Sequence, residues 1–174
     1  MPEEAPNVNA SDSFALMPGT GKTSTIGPNQ IIYKLGGEHT GSAFSIIEYQ
    51  VAPNFQAPPT MHFHVNDTWA AYVLEGTLNF QIGERMVSAS TGAFLFVPKG
   101  TPFKWWNPAD QPARWLIIYQ PAGFEKYFEE VNRITESLPR GPLDMSKLMP
   151  QILPLWEKYG IGVVDAQADE KQSQ

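Results

Sequence analysis

The sequence predicts an all-β fold, a sandwich or barrel, with helices confined to its C-terminal part. Three observations carry this. Short runs rich in β-branched and aromatic residues follow one another directly from about residue 30: IIYKLG, AFSIIEYQVA, TMHFH, AAYVLEG, TLNFQIG, RMVSA, AFLFV, FKWW and ARWLIIYQ. Turn formers, with 16 Pro and 14 Gly, separate them at close intervals. Aromatic residues reach 12% while charged residues stop at 17%, below the roughly 25% of an average soluble chain. At 174 residues the chain is of a length for one domain with a proper core.

The elements read in order as four stretches. Residues 1–29 lack periodicity and collect Pro, Gly, Ser and Thr, which predicts an extended N-terminal arm. Within it PGTGKTST invites a phosphate-loop reading, but the motif needs a glycine where Leu16 stands, and no strand-to-helix context surrounds Gly21-Lys22-Thr23; a surface turn is the expectation. Residues 30–121 hold the strands. TLNFQI alternates, with Leu78, Phe80 and Ile82 on one face, and Gly83-Glu84 offers a two-residue hairpin turn. Glu75-Gly76 reads as another turn. After Pro121 the period switches: Phe124, Tyr127, Phe128, Val131, Ile134 and Leu138 fall at helical spacing, and Pro139 to Pro142 ends that helix. A second helical stretch runs from Asp144, a candidate N-cap, to Tyr159; Pro150 and Pro154 are expected to bend or split it, and Gly160 to stop it. Residues 122–162 are thus C-terminal helices packed on the β domain, and 163–174 a polar tail.

Composition excludes several function classes. No cysteine is present, which removes disulfides, zinc-thiolate sites, iron–sulfur clusters and thiol catalysis. With 12 basic against 18 acidic residues, net charge −6, phosphate-rich nucleic acid is not an expected partner. No apolar run reaches the roughly 18 residues of a membrane span, and the N-terminus is acidic where a secretory signal would be basic and then apolar. A cytoplasmic location is the expectation.

His62 and His64 stand two apart on a predicted strand, so both imidazoles share one face. If that face lines an interior, two ring nitrogens converge, as in β-protein sites for iron, manganese, nickel or copper; otherwise they are two satisfied polar residues at a strand end. The segments PPTMHFHVNDTWAAYVLEGTLNFQIG and GAFLFVPKGTPFKWWN resemble the two motifs of the cupin family. His62, His64 and Gly76 match the first, and Gly92, Pro98, Gly100 and Asn107 the second, with a similar interval between them. PARWLIIYQPAGFEKYFEE and LWEKYGIGVV look like the small single-domain cupins called quercetin dioxygenase-like. The resemblance covers about residues 30–162 and implies a double-stranded β-helix, or jelly-roll barrel, with the site at its mouth.

Two departures from the family pattern stand out. The family's metal-binding Glu falls at Trp69, or at Thr68 with the shorter spacing, and its third His at Phe103. An indole offers no lone pair and a hydroxyl is a feeble ligand. The metal site implied by the resemblance is therefore read as degenerate, with no cofactor favoured; a divalent Fe, Ni, Mn or Cu would need a substitute donor. Asp67 is the candidate, by a shifted loop or bulge, against its plain reading as an Asx-type turn. His39 lies in a turn, GGEHTG, and is expected to face solvent.

Aromatic residues occupy the vacated positions. Strand alternation puts Trp69, Phe103 and Trp105 on the face of His62 and His64, which describes an apolar pocket with a few polar groups, suited to a flat hydrophobic or aromatic molecule bearing oxygens. Tyr72, Tyr119 and Gln120 are further candidates for binding it, with Glu48, Gln50, Lys104 and Arg114 weaker ones. Burial should lower a histidine pKa, and a neutral imidazole can take a proton and return it elsewhere. The leading expectation is an enzyme of isomerase, cyclase, dehydratase or lyase type with His62 and His64 catalytic. The alternatives are a quercetinase-like metal-dependent dioxygenase using His62, His64 and Asp67, and a non-catalytic binder of a small ligand. The resemblance also implies a homodimer, since exposed sheet edges need covering.

Overall fold

The computed structural model describes residues 13–56, 60–136 and 145–164. All nine apolar runs form strands: β2 Asn29–Leu35, β3 Ser45–Val51, β4 His62–His64, β5 Thr68–Glu75, β6 Thr77–Ile82, β7 Arg85–Ser90, β8 Phe94–Val97, β9 Phe103–Trp106 and β10 Ala113–Gln120. Two further strands, β1 Thr23–Ile26 and β11 Ile161–Val163, were not foreseen. The stretch read as an arm therefore includes a strand: Thr23–Ile26 pairs with Ile32–Asn29, residue for residue. Lys22, in the phosphate-loop lookalike, reaches Glu129 at 2.9 Å. The second strand arises because Gly160, at φ 69°, turns the chain back so that Ile161 and Val163 pair with His64 and His62.

The strands assemble as a double-stranded β-helix of two antiparallel sheets. One runs β1-β2-β3-β10-β5-β8, the other β11-β4-β9-β6-β7. Period-two alternation sends Ile47, Tyr49 and Val51 of β3, Trp69, Ala71 and Val73 of β5, and Trp115, Ile117 and Tyr119 of β10 into the core. Leu78 and Phe80 of β6 and Phe103 of β9 meet them from the other sheet. The opposite parity faces out. Tyr72, Phe94 and Phe96, paired across β5 and β8, are exposed by 45%, 65% and 61% on the outer face at the sheet's open edge. The other edge is covered: α1 (Glu125–Glu136) lies on β1, where the Thr25 amide donates to Asn132 Oδ1 at 2.6 Å.

The motif residues away from the histidines have structural jobs. The Asn107 side-chain amide donates to the Ala52 and Gln111 carbonyls at 3.0 and 2.8 Å, and its Oδ1 accepts from the Ala109 amide, locking the loop before β10. The Gly100 amide donates to the His64 carbonyl at 2.7 Å, tying the second motif's turn to the histidine strand. Gly76 turns β5 into β6 at φ 77°, where an added Cβ would meet the Pro112 carbonyl and Ala113 at 3.0 Å. Gly76→Ala therefore combines backbone strain with a clash and is expected to cost about 2 kcal/mol of unfolding free energy in denaturant titration.

The second helix, α2, spans Met145–Tyr159 with Pro150 and Pro154 inside it, so of the bend or split expected there the split is absent. Each proline forfeits one backbone bond. Burial of Leu148 and Ile152, which pack with Val131 of α1, offsets that loss. The Asp144 cap, the Leu138 position, the Pro139–Pro142 terminator and the tail from 165 lie outside the described residues. Among the described residues no helix is long and apolar enough to cross a membrane.

Candidate active site

The two sheets, with α1 and α2, line a half-open cavity of about 600 Å³. Its walls include His62 and His64 of β4, Trp69 of β5, and Phe103 and Trp105 of β9, so the five residues expected to share a face do so. His62 sits opposite Phe103 in the β4–β9 pairing, their ring centroids 4.3 Å apart. Phe103 also lies 5.4 Å from His64 and 4.9 Å from Trp69. The two imidazole centroids are 5.9 Å apart. The family's missing ligands are thus replaced by rings in mutual contact, which fill the centre of the site.

His64 and Asp67 form a buried polar pair at the cavity wall. Both are 4% exposed, and His64 Nδ1 lies 2.8 Å from Asp67 Oδ2. With the carboxylate ionised, Nδ1 carries the proton and donates it, which leaves Nε2 as the nitrogen able to take one. The His64 ring is clamped by Phe124, stacked at 4.1 Å, and by Tyr119 at 6.2 Å. Asp67 was read as a turn residue or a substitute metal donor; the turn after β4 instead folds it back, i to i+3, onto its own histidine.

His62 has a different electrostatic setting. Burial pushes its pKa down from an ordinary 6.5 to about 4, the neighbouring His64 adds to the fall, and the Thr60 backbone works the other way. His62 is neutral at physiological pH. Because the folded protein resists protonating it and the unfolded chain does not, stability falls as pH drops from about 6.5 to about 4 and the effect levels off below. At about 1.4 kcal/mol per tenfold, the loss is about 3 kcal/mol. His62→Phe should remove that share of the acid slope, measured as unfolding free energy against pH.

Other expected residues divide. Tyr119 lines the cavity, and burial pushes its phenol well above the usual tyrosine range, so it stays protonated. Tyr72 does not: it stands on the outer face of β5, because Trp69, Ala71 and Val73 take the inward parity. Gln120 is exposed at the end of β10, with parity opposite to Trp115, Ile117 and Tyr119. Glu48 is buried outside the cavity in an ion pair with Lys34 at 3.1 Å, and Arg114 reaches Glu75 at 3.2 Å. His39 is half-buried against Phe14, ring centroids 5.2 Å apart, and does not line the cavity. The sequence reading missed Tyr49, Trp115 and the helical side chains Tyr127, Phe128, Leu148, Ile152 and Trp156 as cavity walls. The helical periodicity announced that Tyr127 and Phe128 were buried, without saying against what.

Two antiparallel β-sheets with helices packed beside an aromatic cavity, and paired histidines at its wall, are the features to set beside known proteins. Residues 47–119 match a family profile described as Cupin domain, so that stretch of the chain is a cupin domain. Among curated proteins the chain is similar to acetate kinase EutQ of Clostridioides difficile, 41% identical over 51 residues. That match covers 29% of this chain and 31% of the relative, so it spans less than a third of the relative's length. Among solved structures, KdgF from Halomonas sp. is similar with a TM-score of 0.57 at 13% identity, over 67% of this chain and 99% of that one. A predicted oxalate decarboxylase from Thermotoga maritima gives 0.56 at 15% identity, over 62% and 99%. These two likenesses are of fold.

The family resemblance implies a transition metal, and the donors present do not fit one. Asp67 is engaged by His64, Trp69 and Phe103 hold the remaining ligand positions, and no group of three or more His, Asp or Glu among the described residues is placed to hold an ion.

Proposed function

We propose that this protein is an enzyme that moves a proton on a small, hydrophobic, oxygenated molecule, with His64 as general base, Asp67 as its positioning residue and His62 as a neutral partner. The observation that supports it is the buried His64–Asp67 pair at the wall of an otherwise apolar cavity. A carboxylate on Nδ1 fixes the tautomer and stabilises the imidazolium that forms when Nε2 takes a proton. The low dielectric around the pair strengthens that stabilisation.

In the simplest cycle His64 Nε2 removes a proton from carbon next to a carbonyl, and the electron pair moves toward the oxygen. The protonated Tyr119 phenol is the donor for that oxygen, since the one N–H of neutral His62 is turned to the Thr60 backbone. The imidazolium then returns the proton at another atom, giving isomerisation or cyclisation, or to a departing oxygen, giving dehydration or lyase-type cleavage. Nothing in this cycle requires a redox partner. His62, with its pKa near 4, is too weak a base at neutral pH to lead it, which assigns that part to His64.

The experiment that tests this needs no known substrate. The protein is incubated with a small-molecule extract in deuterium oxide, and compounds are compared by mass spectrometry with and without enzyme. Proton transfer through an imidazole imprints solvent deuterium on a product or on recovered substrate. A product that gains two oxygen atoms and requires oxygen with added metal would instead support the dioxygenase alternative. Retention of a compound with neither exchange nor conversion would support a binding protein.

A further inference from the structure

Resting on the reading of the cavity as the substrate site, we propose that it selects an electrically neutral, flat molecule whose oxygens act as hydrogen-bond acceptors, and rejects carboxylates and phosphates of the same outline. Among its described lining residues there is no Lys or Arg. Neighbouring cations are held elsewhere: Lys22 by Glu129, Lys34 by Glu48, Arg114 by Glu75 and Lys158 by Glu130. An anion entering would shed its hydration without gaining a counter-charge, the costliest transfer an apolar site can impose. Behind His64 stands Asp67, an acidic side chain that offers an anion no counter-charge.

The polar groups in the wall favour acceptors. The indole rings of Trp69 and Trp115 line the cavity, while their N–H groups are buried within the wall and out of reach of a ligand oxygen. The phenols of Tyr49 and Tyr119 also line the cavity, and burial holds them protonated. The two phenols are the donors of the wall, and a carbonyl, ether or ester oxygen is the acceptor that suits them. Flatness follows from the walls: Trp69, Phe103, Trp105 and Trp115 form a network of ring contacts, with Trp105 and Trp115 centroids 5.2 Å apart. A volume of about 600 Å³ admits two or three fused rings with substituents.

The test is a matched pair, methyl 2-naphthoate against 2-naphthoate, titrated into the full chain at pH 7 and followed through the tryptophan indole N–H resonances, assigned by single Trp→Phe variants. The ester is expected to bind tighter by roughly 100-fold. It should move the Trp69 and Trp115 signals and leave that of Trp106, which is not a cavity wall, in place. Gln56→Arg adds a cation at an exposed position on the cavity's lining and should raise naphthoate affinity several-fold relative to that of the ester. Equal or tighter binding of naphthoate by the unmodified chain, with the same two signals moving, overturns the charge selection and leaves the cavity as the site. Binding of neither probe to the folded chain, or binding that moves only Trp106, overturns the cavity reading and the selection together.

Discussion

His64→Gln is expected to lower deuterium incorporation by roughly 10²–10⁴-fold, the usual worth of a positioned general base. Glutamine keeps a polar side chain at the wall but cannot carry the proton. The fold should survive, since Phe103, Phe124 and Tyr119 still pack around the position. Asp67→Asn is the sharper companion. It preserves the volume of the carboxylate while replacing an acceptor-only, charged group with a neutral amide that can also donate to Nδ1, so the tautomer is no longer fixed and the rate should fall roughly 10²-fold or more. Nitrogen NMR of His64 separates this role from a structural one: the Nδ1–H tautomer dominates in the native chain and loses its preference in the variant. Native rates in both variants would remove His64 from the chemistry.

The second large effect is a gain. If rings have replaced ligands, restoring the ligands should restore a metal centre. Trp69→Glu with Phe103→His presents a carboxylate and a third imidazole beside His62 and His64. The double variant is expected to hold about one divalent transition ion per chain after gel filtration. Removing the buried Trp69 side chain costs stability, about 3–5 kcal/mol for a large aromatic. Phe103→His alone is therefore the fallback: it puts three imidazoles at one point, because Phe103 lies 4.3 Å from His62 and 5.4 Å from His64 by ring centroid. Circular dichroism and the thermal transition report whether each variant folds, and failure of a folded variant to retain an ion would contradict the replacement.

Much of the fold was legible because period-two alternation and turn residues act locally. His62, His64, Trp69, Phe103 and Trp105 reached one cavity because strand parity and motif spacing place them there. The same parity argues against Tyr72, which alternates out of phase with Trp69, Ala71 and Val73, and against Gln120, out of phase with Tyr119; their inclusion followed residue chemistry over geometry. What stayed hidden depends on contacts distant in sequence. The run IIEYQV gives no sign that Tyr49 would stand 5.4 Å from Trp105 of the other sheet. The amphipathic pattern of α1 shows a buried stripe without naming its partner, and α2 carries two prolines that argue locally against the helix it forms. The pairing of Asp67 with His64 needed the turn after β4, whose backbone path no pattern of hydrophobicity encodes.

All of this turns on the histidine pair acting through protons. The most direct measurement is the transition-metal content of the unmodified chain after incubation with iron(II), nickel, manganese and copper salts in turn and removal of unbound ion. The predicted result is retention far below one ion per chain for each metal, unchanged in a His62→Ala, His64→Ala double variant. One tightly held ion per chain, lost in that double variant, would contradict the account.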